Sequence, residues 1–304
     1  MYHRVAESSV DPWQLAVSPA NFDDQVRTLR QHADVVPLVQ LRQHLRTGRQ
    51  SRPVVAITFD DGYVDNLEAA KPVLLRYEAP ATVFVATGFV GRRENFWWDR
   101  LAQAILAARN LPAALRLGDG SNVLACDDPR LGRQDTVGGR ARMRLHERLW
   151  NWLSSQGEAR RAESLQRIEQ WAGARPLEDP SAWPMSADQL RELAADGLID
   201  LGAHTVGHPR LPLLSRSEQA TEITQSRVDC QRILGAAPAS FAFPNGQYDR
   251  TSIEVVRAAG FVLACTSQPD LAWASGDPLQ TPRVSVRNRS GEALWRRLRW
   301  QWLA

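Results

Sequence analysis

Short apolar runs alternate with amphipathic stretches along most of the chain, and their lengths predict the elements. PVVAITF, residues 53 to 59, is apolar almost throughout, as a strand buried on both faces must be. NLEAAKPVLLRY (66 to 77) reads as a helix started or kinked by Pro72, and APATVFVAT (79 to 87) as the next strand. LIDLGAH (198 to 204), ASFAFP (239 to 244), GFVLACT (260 to 266) and TPRVSV (281 to 286) continue the strand-like series. Helical patterns lie between the later ones: SADQLRELAADG (186 to 197), SRSEQATEITQSRVDCQRIL (215 to 234) and RTSIEVVRAAG (250 to 260). Strands alternating with helices predict an α/β architecture.

Residues 88 to 185 break the rhythm with two helical stretches, WWDRLAQAILAARN and RARMRLHERLWNWLSSQGEARRAESLQRIEQWAG, separated by a Gly/Asp-rich loop. This pattern predicts a helical insertion at about 88–185 within a single catalytic domain spanning 1–304. Six tryptophans fall in it: Trp97, Trp98, Trp150, Trp152, Trp171 and Trp183. At helical spacing such rings pack a core. Trp97 and Trp98, adjacent and near a strand exit, are also candidates to stack on a sugar ring.

Composition narrows the class. With 43% hydrophobic and 23% charged residues, the chain has the profile of a soluble globular protein, and its net charge of +3 does not point to nucleic acid. The basic residues are unevenly spread. Arg283, Arg287, Arg289, Arg296, Arg297 and Arg299 meet a single acid, Glu292, in the C-terminal stretch. That stretch reads as a solvated basic face, or as a contact for an anionic substrate or a membrane surface. Cys126, Cys230 and Cys265 have neither the number nor the spacing of a disulfide framework or a zinc knuckle. No apolar run reaches membrane-spanning length and no basic-then-apolar leader precedes MYHRV, so the expected compartment is the cytoplasm.

The chemistry begins at TFDDGY, residues 58 to 63. Asp60 and Asp61 follow an apolar strand, the end at which α/β folds place their sites. Their side chains diverge there, so one carboxylate can bind a metal while its neighbour faces water. A strand-terminal Asp-Asp-Gly also fits a turn with a helix cap. GAHTVGHP (202 to 209) then supplies His204 and His208 at H-x-x-x-H spacing, again at a strand end. One carboxylate and two neutral imidazoles suit one divalent ion, zinc by default, with cobalt, nickel or iron as alternatives.

TFDDGY, HTVGHP and FAFPNGQYD, in that order, resemble the polysaccharide deacetylase superfamily, also called carbohydrate esterase family four. The resemblance runs from about residue 53 to 286. It implies a distorted, incomplete (β/α) barrel and metal-dependent removal of N-acetyl groups from amino sugars. By position it implies Asp61, His204 and His208 as metal ligands and Asp60 as general base. It further implies a backbone N–H at Asn245 as oxyanion donor, and Tyr248 in the same motif becomes a candidate substrate contact. Two departures stand out. Ala242 occupies the place nearest to the arginine that orients the base in many members. Arg283 is the candidate replacement, with an anionic substrate or plain solvent as its other assignments. No histidine follows His208 to serve as the family's late general acid. MYHRV resembles the first strand of a subgroup that begins with Tyr-His, which puts His3 in the missing acid's place. The resulting expectation is a deacetylase of a glycan or glycan precursor. The alternatives are an amidohydrolase of a formamide or non-sugar amide, or a carbohydrate-binding protein with a decayed site.

Overall fold

Five of the apolar runs pair in parallel, in the order β11-β10-β9-β6-β5, to form the central sheet. The strands are β5 (Ile57–Phe59), β6 (Ala81–Val85), β9 (Ile199–Ala203), β10 (Ser240–Ala242) and β11 (Leu263–Cys265). The computed structural model describes residues 1–46, 52–119, 122–174 and 179–303. They divide into two compact units, one of residues 1–8, 14–93 and 181–304, the other of 9–13 and 94–180.

In the first unit the sheet is buried on both faces, which is why its strands read as nearly unbroken apolar runs. Alternation sends Ala81, Val83 and Val85 to a cluster with Phe22, Val26, Leu74 and Leu190, and Phe84 to another with Val36, Leu38, Ala242 and Cys265. Gly202 is required where β9 passes β6, because a Cβ there would lie 2.4 Å from the Phe84 ring. The helices of this unit are α1 (Pro19–His32), α2 (Leu41–Arg46), α3 (Lys71–Arg76), α7 (Ala187–Ala194), α8 (Arg216–Leu234), α9 (Arg250–Ala258) and α10 (Gly291–Leu303). The sheet stays open between β5 and β11, so the barrel is incomplete, as expected.

Three local readings change. PVVAITF divides: β4 (Val54–Val55) pairs with β3 (Asp34–Val35), and only β5 joins the central sheet. Residues Asn66–Ala70 form a π-helical turn leading into α3, where Pro72 sits in the first turn and its missing N–H costs nothing. TPRVSV makes only one bridge, Thr281 to Cys265. Pro282 has no N–H to give, and the Arg283 N–H goes to the Gln268 carbonyl (3.1 Å) instead of a ladder partner.

The N-terminus is anchored. Tyr2 bridges Phe59 in parallel, with its N–H on the Thr58 carbonyl at 2.8 Å and its carbonyl accepting the Asp60 N–H at 3.1 Å. Its ring stacks on Phe59, and its hydroxyl donates to Gln25 Oε1 at 3.0 Å. β1 (Arg4–Val5) then pairs with β2 (Ala16–Val17).

The second unit contains α4 (Trp97–Leu106), α5 (Thr136–Ser154) and α6 (Glu158–Ala172). The Gly/Asp-rich stretch expected as a loop includes an antiparallel pair, β7 (Ala114–Asp119) and β8 (Asn122–Asp127), so the insertion is not purely helical. Its limits, 94–180 with 9–13, are tighter than the 88–185 read from sequence.

Candidate metal centre

The ends of the parallel strands supply every group of the centre. Asp60 and Asp61 follow β5, His204 follows β9, and the turn after β9 brings back His208. These turns are tight. Asp61, Thr205 and His208 have φ of 76°, 64° and 53°, in the left-handed region that side chains avoid. Gly62, at 87°, completes the first turn without a Cβ penalty. Non-glycine residues collect in this region where surrounding contacts hold them for function.

Asp61 Oδ1 lies 3.6 Å from His204 Nε2 and 3.5 Å from His208 Nε2. One ligand atom from each of the three residues falls within 4.8 Å of the others. Donors about 2.0–2.2 Å from a common ion are separated by such distances, so the set fits a divalent cation with positions open for water and substrate. The tautomer also fits. His204 Nδ1 is 2.7 Å from the Ala242 carbonyl, an acceptor only, so Nδ1 carries the hydrogen and the Nε2 lone pair faces Asp61. Burial, only partly offset by the Asp60 charge, lowers the His204 pKa and keeps the ring in its neutral, ligating form.

Asp60 has a different environment. Arg283 grips it with two parallel hydrogen bonds, Nη1 to Oδ1 and Nη2 to Oδ2, each 2.7 Å and buried. The guanidinium is itself fixed: Nε donates to the Thr266 carbonyl at 2.9 Å, Nη1 also reaches Thr58 Oγ1 at 3.2 Å, and the plane lies over Phe84. Burial alone would push the Asp60 carboxyl up. Arg283 outweighs it and holds the group well below the usual carboxylate range. Ala242 cannot be the site of an equivalent arginine, since its side chain is sealed among Phe84, Leu263 and Cys265.

His3 is half-buried on the first-strand segment, with its carbonyl held by Asn66 Nδ2 at 2.8 Å. Burial lowers its pKa to about 4, against an opposing pull from Asp60, while Arg283 and His204 reinforce the lowering. Those interactions place His3 in the field of Asp60, Arg283 and His204. Asn245 is exposed at φ 56° in a turn whose Gly246 and Gln247 N–H groups close back onto Phe243 and Pro244. Tyr248 stacks on Phe243 and directs its hydroxyl to Gln280 Oε1 at 3.3 Å.

The two tryptophans do not form the expected exposed platform. Trp97 and Trp98 are 6% and 7% exposed and pack inside the second unit, Trp98 on Phe96 and Trp97 against Trp150, with Arg161 over the Trp97 ring. Rings buried to this extent fill a core and offer no face to a sugar. In α10, Leu294 is buried and Arg296, Arg297 and Arg299 are exposed. No helix among the described residues is long and apolar enough to cross a membrane.

The residues that brace Arg283 and the histidine loop carry little signal in the sequence. Thr58 and Ala242 lie within the quoted motifs but bear no chemistry of their own, Thr266 lies outside them, and Glu222 sits in a long helix, α8. Only the fold brings them to the centre.

An incomplete (β/α) barrel with one carboxylate and two imidazoles at its strand ends has the donor set of a single-ion centre beside a separate, arginine-held carboxylate. The chain belongs to the polysaccharide deacetylase family, whose profile matches residues 47–110 and 166–264, more than half of its length. It is 33% identical over 108 residues to a Staphylococcus aureus poly-beta-1,6-N-acetyl-D-glucosamine N-deacetylase, covering 31% of this chain and 37% of that one. The aligned span is thus little more than a third of that relative. Solved structures share the fold over nearly the whole chain. Streptococcus pyogenes deacetylase PplD superposes with a TM-score of 0.60 at 20% identity, covering 97% of this chain and 95% of that one. IcaB from Ammonifex degensii gives 0.58 at 22% identity, covering 96% and 92%.

Proposed function

We propose that the protein is a metal-dependent N-deacetylase that hydrolyses the acetamide of an N-acetylated amino sugar, in a glycan or a glycan precursor. The observation that carries this reading is the division of labour between adjacent carboxylates: Asp61 faces two imidazoles, and Asp60 is held ionised by Arg283. A binding protein has no use for an arginine-fixed base beside a metal site. Family membership and the S. aureus relative's activity support the choice of substrate.

Asp61, His204 and His208 would hold the ion, with zinc first among the candidates. When bound, it supplies Lewis-acid chemistry, polarising an acyl oxygen and easing the deprotonation of water near neutral pH. The residues do the rest. Water attacks the acetyl carbonyl carbon and its proton passes to the Asp60 carboxylate, whose orientation Arg283 fixes. The Asn245 N–H is assigned to the developing oxyanion. The C–N bond then breaks, releasing acetate, and the departing nitrogen takes a proton from His3. With a pKa of about 4, His3 starts the cycle neutral at pH 7. The proton it gives up is therefore the one released by water. Asp60 passes that proton to the His3 imidazole before the C–N bond breaks. The assignment of His3 to this role is supported by the resemblance of MYHRV to the subgroup with an N-terminal Tyr-His strand.

The test is acetate release by zinc- or cobalt-loaded protein from chito-oligomers, β-1,6-linked N-acetylglucosamine oligomers, nucleotide-linked N-acetylhexosamines and an acetylated peptide. Asp60→Asn should reduce release from the preferred sugar by on the order of 10³-fold. Acetate release from the peptide alone would reject the amino-sugar assignment. Equal rates for Asp60→Asn would reject the mechanism.

A further inference from the structure

The loop that carries both histidines, residues 204 to 208, departs from regular backbone at two of its five positions, Thr205 and His208. Such a loop persists only where outside contacts over-determine it. One edge is fastened to the strand-end loop after β6: the His204 N–H donates to the Val85 carbonyl (2.9 Å), and the Thr205 and Val206 carbonyls accept N–H groups from Thr87 (3.0 Å) and Gly88 (2.9 Å). The loop's own next N–H groups point the other way. Those of Val206 and Gly207 converge on a single oxygen, Glu222 Oε2, at 2.9 and 2.8 Å, and that of His208 reaches Thr205 Oγ1 at 3.1 Å.

Glu222 comes from the second turn of α8, a rigid helix that packs Ile223, Ser226 and Cys230 inward. Seven residues on, Asp229 accepts a hydrogen bond from Thr87 Oγ1 at 3.0 Å. Seven residues are close to two helical turns, so the two carboxylates share one face of α8 and grip the two loops that are fastened to each other. A carboxylate that accepts two adjacent amides makes charge-assisted bonds, stronger than neutral ones. Neither acid is a member of the metal-ligand set.

We infer that Glu222 is a positioning residue for the metal centre: by accepting the Val206 and Gly207 N–H groups it holds the turn that aims His208 Nε2 at Asp61. The inference rests on the reading of Asp61, His204 and His208 as metal ligands. Without the carboxylate, the two amides must turn toward water. The turn relaxes, and the His208 ring leaves the geometry in which it faces Asp61 Oδ1 at 3.5 Å.

The experiment uses the full chain, stripped and titrated with Zn²⁺ against a chromophoric chelator and with Co²⁺ followed by its visible absorption. Wild type, His204→Ala, Glu222→Gln and Glu222→Ala are compared, with far-ultraviolet circular dichroism as the fold control. Glu222→Ala is expected to bind Zn²⁺ about 10- to 100-fold more weakly and to alter the cobalt band. Glu222→Gln, which keeps an acceptor oxygen but not the charge, should fall between it and wild type. A folded Glu222→Ala protein with wild-type affinity and an unchanged band overturns the inference while leaving the metal centre standing. If Glu222→Ala does not fold, Glu222→Gln decides by the same criterion. If His204→Ala binds as tightly as wild type, the metal reading itself fails, and the role of Glu222 falls with it.

Discussion

Asp60 and Asp61 are chemically identical neighbours, and their surroundings diverge because Arg283 hydrogen-bonds Asp60 while Asp61 faces two imidazoles. Its two bonds to Asp60 are parallel and buried, a geometry a lysine cannot copy with one ammonium. Arg283→Lys should therefore lower kcat while leaving KM nearly unchanged, which steady-state kinetics on the preferred substrate would show. Arg283→Ala strands a buried carboxylate and should cost about 3–5 kcal/mol in denaturant unfolding. A loss below 1 kcal/mol would mean that the ion pair does not hold the fold around the base. His3 poses the sharper catalytic question, since His3→Ala with near wild-type turnover from pH 6 to 9 would end its assignment as proton donor. Much of this was legible at the residue scale. Asp60, Asp61, His204 and His208 announce themselves by type and spacing at strand ends. Arg283, in the strand-like run TPRVSV, was already the candidate replacement for the arginine missing at Ala242. Only the path of residues 281 to 286 decided between that assignment and an anionic substrate or plain solvent.

At the scale of elements, amphipathic periodicity located the helices well because caps mark their ends. α7, α8 and α9 each open on a capping box, at Ser186, Ser215 and Asp249, and α8 closes on Gly235 at φ 79°. Ser215→Ala should lower stability by about 1 kcal/mol in chemical denaturation, with no change in the spectrum of bound cobalt, since the cap lies nearly two turns from Glu222. A change in that spectrum would show that fraying at the start of α8 reaches the histidine loop. Apolar runs were less reliable guides. Periodicity could not say that PVVAITF serves two different pairings, because both halves are equally apolar and the choice depends on which neighbour arrives. TPRVSV has strand composition, yet Pro282 and the turn of the Arg283 N–H toward Gln268 stop it from joining the sheet. The hairpin of β7 and β8 lay hidden in a stretch rich in Gly and Asp, where turn residues obscured two short strands.

At the scale of the whole molecule, pH and the proposed metal should act through different groups. His146 is fully buried in the second unit, and neither ring nitrogen has a hydrogen-bond partner among the described residues. Burial lowers its pKa to about 4 from an ordinary 6.5, so it stays neutral in the fold while the unfolded chain takes up a proton. Stability is thus unaffected above pH 6.5 and is lost as pH falls through the window down to about 4, by about 3 kcal/mol in full. His146→Leu should abolish that part of the acid destabilisation without weakening the protein at pH 7, as denaturant titrations at pH 7, 5.5 and 4 would reveal. An unchanged slope would exclude His146 as its source. Metal acts by linkage: at a free concentration one hundred times Kd it should add about 2.7 kcal/mol, so a chelator should lower Tm in wild type and leave it unmoved in His204→Ala.

By itself, the sequence determined the class of fold and the order of most of its elements, and it singled out Asp60, Asp61, His204 and His208, because these are local facts. A buried strand must be apolar, a helix must repeat, and metal ligands must be residues of the right type. Tertiary structure decided what depends on arrival from afar. Arg283 reaches Asp60 across 223 positions of chain, and α8 extends Glu222 to the histidine loop. The same dependence on neighbours settled the tryptophans. A ring's spacing along a helix is the same whether it packs inward or faces a ligand, and only packing put Trp97 and Trp98 in the core.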